Sequence, residues 1–247
     1  MDSTNVTPVA LITGAGSGLG EATAHAFARA EYAVALLDRD GEGVSHVAGT
    51  LREKYKANAL PLRCDVRDAD AVAASVAEAA DRLGRLDVAV NCAGVDHTVS
   101  VEEMTVEQWD QVLEVNLRGP FLVARAAMPI MRRQGGGHIV NIASTAALRQ
   151  WANAAAYHAS KAGLIAFGRG LGVEGRPHNI RVTTVIPGGM RTHFFDRFVE
   201  QGIPMPDWEK LQDPANVAAV ILAAVRMPPE SVLQEVLVTP PEETSWP

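Results

Sequence analysis

Short apolar runs alternate with longer amphipathic stretches along the chain. Val9-Ala-Leu-Ile-Thr13 leads into a glycine-rich turn and then Glu21 to Ala30, rich in alanine with few breakers. A second run, Tyr32 to Leu37, ends at Asp38, and a polar helical stretch to Tyr55 leads to a third, Ala59 to Cys64. From Asp68 to Leu83, apolar residues recur at Val72, Val76, Ala79, Ala80 and Leu83, the spacing of one helical face. Val88-Ala-Val-Asn91 precedes a long helical region from about Thr105 to Gln134, followed by His138-Ile-Val-Asn-Ile142. The second half repeats the pattern: a helix around Tyr157 to Glu174, the run Arg181 to Ile186, a helix from Asp213 to Arg226, and Glu235 to Val238.

Seven such runs separated by helices predict an α/β fold, a doubly wound parallel sheet with crossover helices on both faces. No linker or internal repeat divides the chain, so residues 1–247 read as one domain. The one long breaker-rich stretch, Pro187 to Asp213, suggests a mobile substrate loop, about residues 188–212, at the carboxyl edge of the sixth strand. In such sheets ligands bind outside the carboxyl ends of the strands, near the reversal of strand order.

Composition narrows the function classes. The chain has 247 residues, 47% of them apolar and 21% charged, as in an ordinary soluble globular protein. A net charge of −7 argues against a nucleic-acid partner. The longest apolar run, Val217 to Val225, is too short to span a bilayer, which needs roughly 20 residues. The start of the chain, with Asp2, lacks a basic-then-apolar export pattern, so a cytoplasmic location is expected. Two cysteines, Cys64 and Cys92, are too few for a disulfide scaffold or a thiolate metal site, and no metal is expected.

Two local patterns carry chemistry. In the first turn, TGAGSGLG from Thr13 to Gly20, glycines would let the backbone approach a pyrophosphate while the next helix offers unpaired N–H groups. Taken alone, it could be only a tight strand-to-helix turn. Asp38, eighteen residues beyond Gly20 at the end of the second strand, could accept hydrogen bonds from a ribose diol. Together they favour a dinucleotide site. Tyr157 and Lys161, spaced i, i+4, put a phenol beside an ammonium that would lower its pKa from about 10. In isolation that pair also fits a solvated helix face.

The order of the motifs decides between these readings. TGAGSGLG, the NCAG of Asn91 to Gly94, Asn116 within VNLRGPF, Ser144 after the fifth strand, YHASK at Tyr157 to Lys161, and IPGGMRT at Ile186 to Thr192 follow one another along the chain. This set resembles the short-chain dehydrogenase/reductase family over nearly the whole length.

The resemblance implies a Rossmann-type seven-stranded sheet and an oxidoreductase interconverting a secondary alcohol and a ketone. It implies that Tyr157 is the general acid/base, that Ser144 donates a hydrogen bond to the substrate oxygen, and that Lys161 lowers the tyrosine pKa and grips the nicotinamide ribose. Asn116 is expected to hold a water linking Lys161 to solvent. Gly14, Ser17, Gly18, Leu19 and Gly20 are expected around the pyrophosphate and adjoining ribose. Asp65 and Val66 match positions at the adenine edge, and Asn91, Ala93 and Gly94 the floor under the riboses. Pro187, Gly188, Met190 and Thr192 match the tract at the nicotinamide carboxamide. The family also implies a homo-oligomer, a homotetramer being expected and a homodimer the alternative.

Three departures stand out. Cys92 replaces the second Asn of the family's NNAG. The segment GLIAFGRGLGVEGRP is unusually rich in glycine, each costing a helix about 1 kcal/mol against alanine. Gly168, Gly170 and Gly172 are expected to let that helix approach its own sheet or a symmetry-related helix. The tail EVLVTPPEETSWP lacks the Asp-Gly-Gly ending of many members.

The expected cofactor is NAD, since a 2′-phosphate would meet the Asp38 carboxylate; Arg39 keeps NADP open. A catalytically silent cofactor-binding regulator and a lyase or epimerase on the same fold are the alternatives. Substrate contacts are expected from His97, Leu148 and Trp151, and from a loop carrying Phe194, Phe195, Phe198, Ile203, Met205 and Trp208. With strand order 3-2-1-4, three inter-strand steps of about 4.8 Å hold the two cysteines roughly 14 Å apart, so both should be free thiols.

Overall fold

The computed structural model describes residues 6–200 and 202–243, without the side chains of residues 197 and 200. Asp2 and the end of the tail, residues 244–247, lie outside the described residues. The strands are β1 (Val9–Thr13), β2 (Ala33–Asp38), β3 (Ala59–Arg63), β4 (Val88–Asn91), β5 (Gly137–Ile142), β6 (Ile180–Pro187) and β7 (Glu235–Val238). They form one sheet in the order β3-β2-β1-β4-β5-β6-β7, with every pair parallel. The order reverses between β1 and β4, and the crevice that binds ligands in such sheets opens at their carboxyl ends.

The helices are α1 (Gly18–Arg29), α2 (Gly41–Tyr55), α3 (Ala69–Leu83), α4 (Val106–Leu113), α5 (Gly119–Arg133), α6 (Ala155–Gly175), α7 (Asp196–Glu200) and α8 (Pro214–Val225). On one sheet face, Phe27 of α1, Leu51 of α2 and Ile221 of α8 pack with Ala10, Ile12, Val34 and Leu36. On the other, Val76 of α3, Met131 of α5 and Leu171 of α6 pack with Leu11, Leu37, Leu60 and Ile139. Both faces being covered, the strands read as continuous apolar runs rather than alternating ones. Phe27 is fully buried, which contributes on the order of 2–3 kcal/mol.

Helix starts follow local chemistry. Asp40, Asp68 and Asp213 cap α2, α3 and α8 through their carboxylates, and Thr105 with Gln108 forms a capping box on α4. The long helical region expected from about Thr105 to Gln134 is built of three pieces, with a π-helical turn at Glu114–Arg118 between α4 and α5. Such turns widen a helix locally and are frequent at functional sites.

The glycines of α6 separate by role. A Cβ on Gly168 would lie 2.5 Å from Thr184 Oγ1, and one on Gly172 would touch Val182, so both serve close packing on the chain's own sheet. Gly170 faces open space. Cys64 and Cys92 follow β3 and β4, with β2 and β1 between them, and both are free thiols. The 187–213 stretch carries two 3-10 turns and α7, and its ends are bridged between Met190 and Gln212.

Candidate active site

A cleft of about 1180 Å³ opens at the carboxyl ends of the strands. At one end of it, the β1–α1 turn packs backbone on backbone. A Cβ on Gly14, whose φ is +65°, would come 2.8 Å from the main chain of Ala93, and one on Gly20 would collide with the Gly14 carbonyl. Ser17, the residue before α1, supplies no side-chain cap to the helix. Gly14, Ser17, Gly18, Leu19 and Gly20 therefore line the cleft with first-turn N–H groups and a positive dipole end, a cradle that fits a pyrophosphate.

Asp38 is fixed at the rim. Its Oδ2 accepts from Gly16 N–H at 3.0 Å and its Oδ1 from Asp40 N–H at 3.1 Å. Arg39 lines the cleft beside it. Asp65 is paired with Arg67 at 2.7 Å; that bond, with the charge of Arg39 adding to it, holds the Asp65 carboxyl below the usual range. Val66 lies against Gly119, and Ala93 and Gly94 form the floor. Asn91 sits beneath the cleft rather than in its wall, donating to Asn141 Oδ1 at 2.9 Å. Pro187, Gly188, Met190 and Thr192 form the opposite wall.

Ser144, Tyr157 and Lys161 line the same cleft. Ser144 begins the 3-10 turn after β5, its Oγ accepting from Ala146 N–H at 3.1 Å, which leaves the hydroxyl proton to donate. Lys161 is buried, donates from Nζ to the Ile142 carbonyl at 2.8 Å, and lies 5.6 Å from the Tyr157 ring centre. Burial pushes its ammonium down to about 8. Cys92 is nearby, its thiol pushed up to about 12 by burial despite the Thr23 contact and the charge of Lys161.

Asn116, buried in the π-helical turn, is outside the cleft wall. Its Oδ1 accepts from Val95 N–H, and its Nδ2 donates to the Val95 carbonyl and to Ser160 Oγ. A Cβ on Gly94 would stand 3.6 Å from both Asn116 Oδ1 and Lys161 Nζ, so these groups flank one point of the floor.

The other end of the cleft is aromatic. Phe194 stands 5.5 Å from the Tyr157 ring, and a chain of edge contacts continues through Phe195 to Phe198. Trp151 enters from the arm after Ser144. That arm is held by His158, whose Nδ1–H donates to the Ala146 carbonyl while Nε2 accepts from Trp151 N–H. Four expected substrate contacts lie outside the cleft lining: Leu148, Met205 and Trp208 are exposed, and Ile203 is only partly buried. His97 is also outside it, turned to Gln111 at 2.8 Å. Residues that the sequence did not single out are Asp96, two positions after the NCAG motif, Asp207 and Lys210 within the expected substrate loop, and Glu242 and Glu243 beyond it.

The family model of the short chain dehydrogenases matches residues 8–202. The chain belongs to the short-chain dehydrogenase family. Among relatives of this short-chain dehydrogenase, the short-chain reductase protein NovJ of Streptomyces niveus is 38% identical over 193 residues, covering 78% of this chain and 73% of that one. A 3-ketoacyl-(acyl-carrier-protein) reductase from Brucella melitensis, solved with NADH, superposes with a TM-score of 0.85 at 31% identity, over 95% of this chain and 97% of the other. An alcohol dehydrogenase from Thermococcus sibiricus, solved with 5-hydroxy-NADP, gives 0.85 at 27% identity, over 94% and 95%. This chain is built on one sheet with the cleft at its strand ends. No described helix is long and apolar enough to cross a membrane.

Proposed function

We propose that the chain is an NAD-dependent oxidoreductase that interconverts a secondary alcohol and a ketone, with Tyr157 as general acid/base. The observation that carries this reading is the meeting of Tyr157, Lys161 and Ser144 in the cleft that also holds the glycine-turn cradle. A bound nicotinamide dinucleotide would supply or accept the hydride. Tyr157 takes the hydroxyl proton when an alcohol is oxidised and returns it when a ketone is reduced. Ser144 donates its remaining O–H to the same oxygen and orients it. The Lys161 ammonium favours the Tyr157 phenolate and is within reach of a ribose over the Gly94 floor. Asn116 fixes the segment after β4 and flanks the Gly94 floor together with Lys161, where a bridging water would link that lysine to solvent.

Asp38 at the rim supports NAD over NADP. The reductase and alcohol dehydrogenase relatives support carbonyl–alcohol chemistry. Phe194, Phe195 and Phe198 favour a substrate with an apolar portion beside the reacting carbon. The decisive experiment follows reduced-nicotinamide absorbance with a panel of ketones and secondary alcohols and both cofactors. Turnover without net absorbance change would instead indicate a lyase or epimerase, and no turnover at all a silent binding protein.

The exposed apolar side chains Val106 and Trp109 of α4, Phe121 of α5 and Val173 of α6 support a homo-oligomer, a tetramer in our reading. Light scattering tests this: the 26.3 kDa monomer mass at micromolar concentration would refute it. Two free thiols accord with a reducing, cytoplasmic setting.

A further inference from the structure

The chain leaves β6 at Pro187, and the backbone N–H groups of the following turn need partners. Gly188 N–H donates to the Val238 carbonyl at the end of β7. Gly189 N–H donates to a side chain 54 residues away, Glu243 Oε2, at 2.8 Å. The sequence after β7 builds this return. Thr239-Pro240-Pro241-Glu242-Glu243 forms a turn closed by Glu243 N–H to the Pro240 carbonyl at 3.1 Å, with Pro241 at the second position, where a fixed φ suits such turns. The carboxylate of Glu243 then occupies the space that a side chain on residue 188 would need; a Cβ on Gly188 would collide with Oε2.

The base of the 190–211 excursion is closed by its own main chain and by the end of β7. Gln212 N–H donates to the Gly189 carbonyl, Arg191 N–H donates to the Gln212 carbonyl, and Gln212 Nε2 donates to the Val238 carbonyl at 3.1 Å. Lys210 pairs with Glu242 at 3.4 Å, but both side chains are exposed and such a pair adds little. The charge-assisted bond to Gly189 is the stronger tie.

We infer that Glu243 is a positioning residue, whose carboxylate holds the Gly188–Gly189 turn in place so that the C-terminal tail sets affinity for the nicotinamide half of the cofactor. The inference rests on the proposed assignment of Pro187 to Thr192 to the nicotinamide end. The adenosine end is held by other elements, the β1–α1 turn and Asp38, so the effect of Glu243 is confined to one half of the dinucleotide.

The test compares binding of NADH with binding of ADP-ribose, which lacks the nicotinamide, to the full-length protein by calorimetry. If the chain prefers NADP, the pair becomes NADPH and 2′-phospho-ADP-ribose. Glu243→Ala should weaken NADH binding by about tenfold, the scale of one lost charge-assisted hydrogen bond, and leave ADP-ribose within about twofold. Glu243→Gln, which keeps an acceptor oxygen, should restore most of the NADH affinity. Hydrogen exchange over residues 187–191 should accelerate in the Ala variant and much less in the Gln variant. Unchanged NADH binding by Glu243→Ala, or equal losses for both ligands, would overturn the inference while leaving the functional reading intact. A wild-type chain that bound neither ligand would overturn that reading, and the inference with it.

Discussion

Lys161 Nζ lies 5.6 Å from the centre of the Tyr157 ring, one helical turn further along α6, while Phe194 stands 5.5 Å from the same ring. The ring thus has a cation and an aromatic side chain beside it at the wall of the cleft. Tyr157→Phe keeps the ring and removes the proton. Dinucleotide affinity should survive, while turnover falls by roughly 10²-fold or more. Steady-state kinetics alongside a binding titration checks this, and near-normal turnover would remove Tyr157 from the acid/base role.

Lys161 also predicts a pH dependence of stability. Its ammonium is held near 8 in the folded chain against an ordinary 10.5, because burial disfavours the charged form. The native state therefore releases this proton before the unfolded state does, and stability from this group rises between pH 8 and 10.5 and is lost as pH falls through 8. The span is on the order of 3 kcal/mol. Thermal unfolding of the cofactor-free protein should show the wild type gaining on Lys161→Met across that window. A difference flat with pH would mean that Lys161 is not desolvated as described.

How far the sequence foretells this molecule depends on the kind of signal. β4 and β7 were readable to the residue, because apolar runs bounded by polar or breaker residues end where the sheet ends. The glycine turn and the Tyr157–Lys161 spacing are local patterns, and the chain brings them into one cleft. The π-helical turn at Glu114–Arg118 was not readable, since one extra residue in a helical turn leaves the hydrophobic period nearly unchanged. The loop aromatics divide for a similar reason. Phe194, Phe195 and Phe198 face the cleft and Met205 and Trp208 face outward, and a segment without period carries no mark of inside and outside. Glu243 is the extreme case, a contact across the fold whose only local trace is the Pro-Pro turn that aims it.

His138 gives a prediction for acid. It is buried on β5, with Nε2 at 2.8 Å from Thr183 Oγ1, and burial, reinforced by the charge of Arg181, pushes its pKa down to about 3. The unfolded chain takes up a proton near the ordinary value of 6.5 while the native state resists. Stability present above 6.5 is therefore lost as pH falls toward 3, at about 1.4 kcal/mol per pH unit for one group. His138→Leu removes the titration. Unfolding midpoints between pH 6 and 4 should fall less steeply for His138→Leu than for the wild type. Parallel slopes would show that other groups govern acid unfolding.

Cofactor choice turns on two neighbours with opposite charge. The Asp38 carboxylate is fixed toward the glycine turn by the N–H groups of Gly16 and Asp40, where a ribose diol would find acceptors and a 2′-phosphate would find like charge. Unit charges about 4 Å apart at an intermediate dielectric repel by about 4 kcal/mol, enough to dominate the preference. Arg39 could offset this by clamping the phosphate, but its charge already acts on Asp65, whose carboxyl it helps hold low. The wild type should therefore show the higher kcat/KM with NAD, measured on one substrate with both cofactors. Asp38→Ala should raise kcat/KM for NADP and lower it for NAD, and Arg39→Ala should lower whatever NADP activity the wild type has. A wild-type preference for NADP of tenfold or more, abolished in Arg39→Ala, would establish that the guanidinium and not the carboxylate governs this end of the cleft.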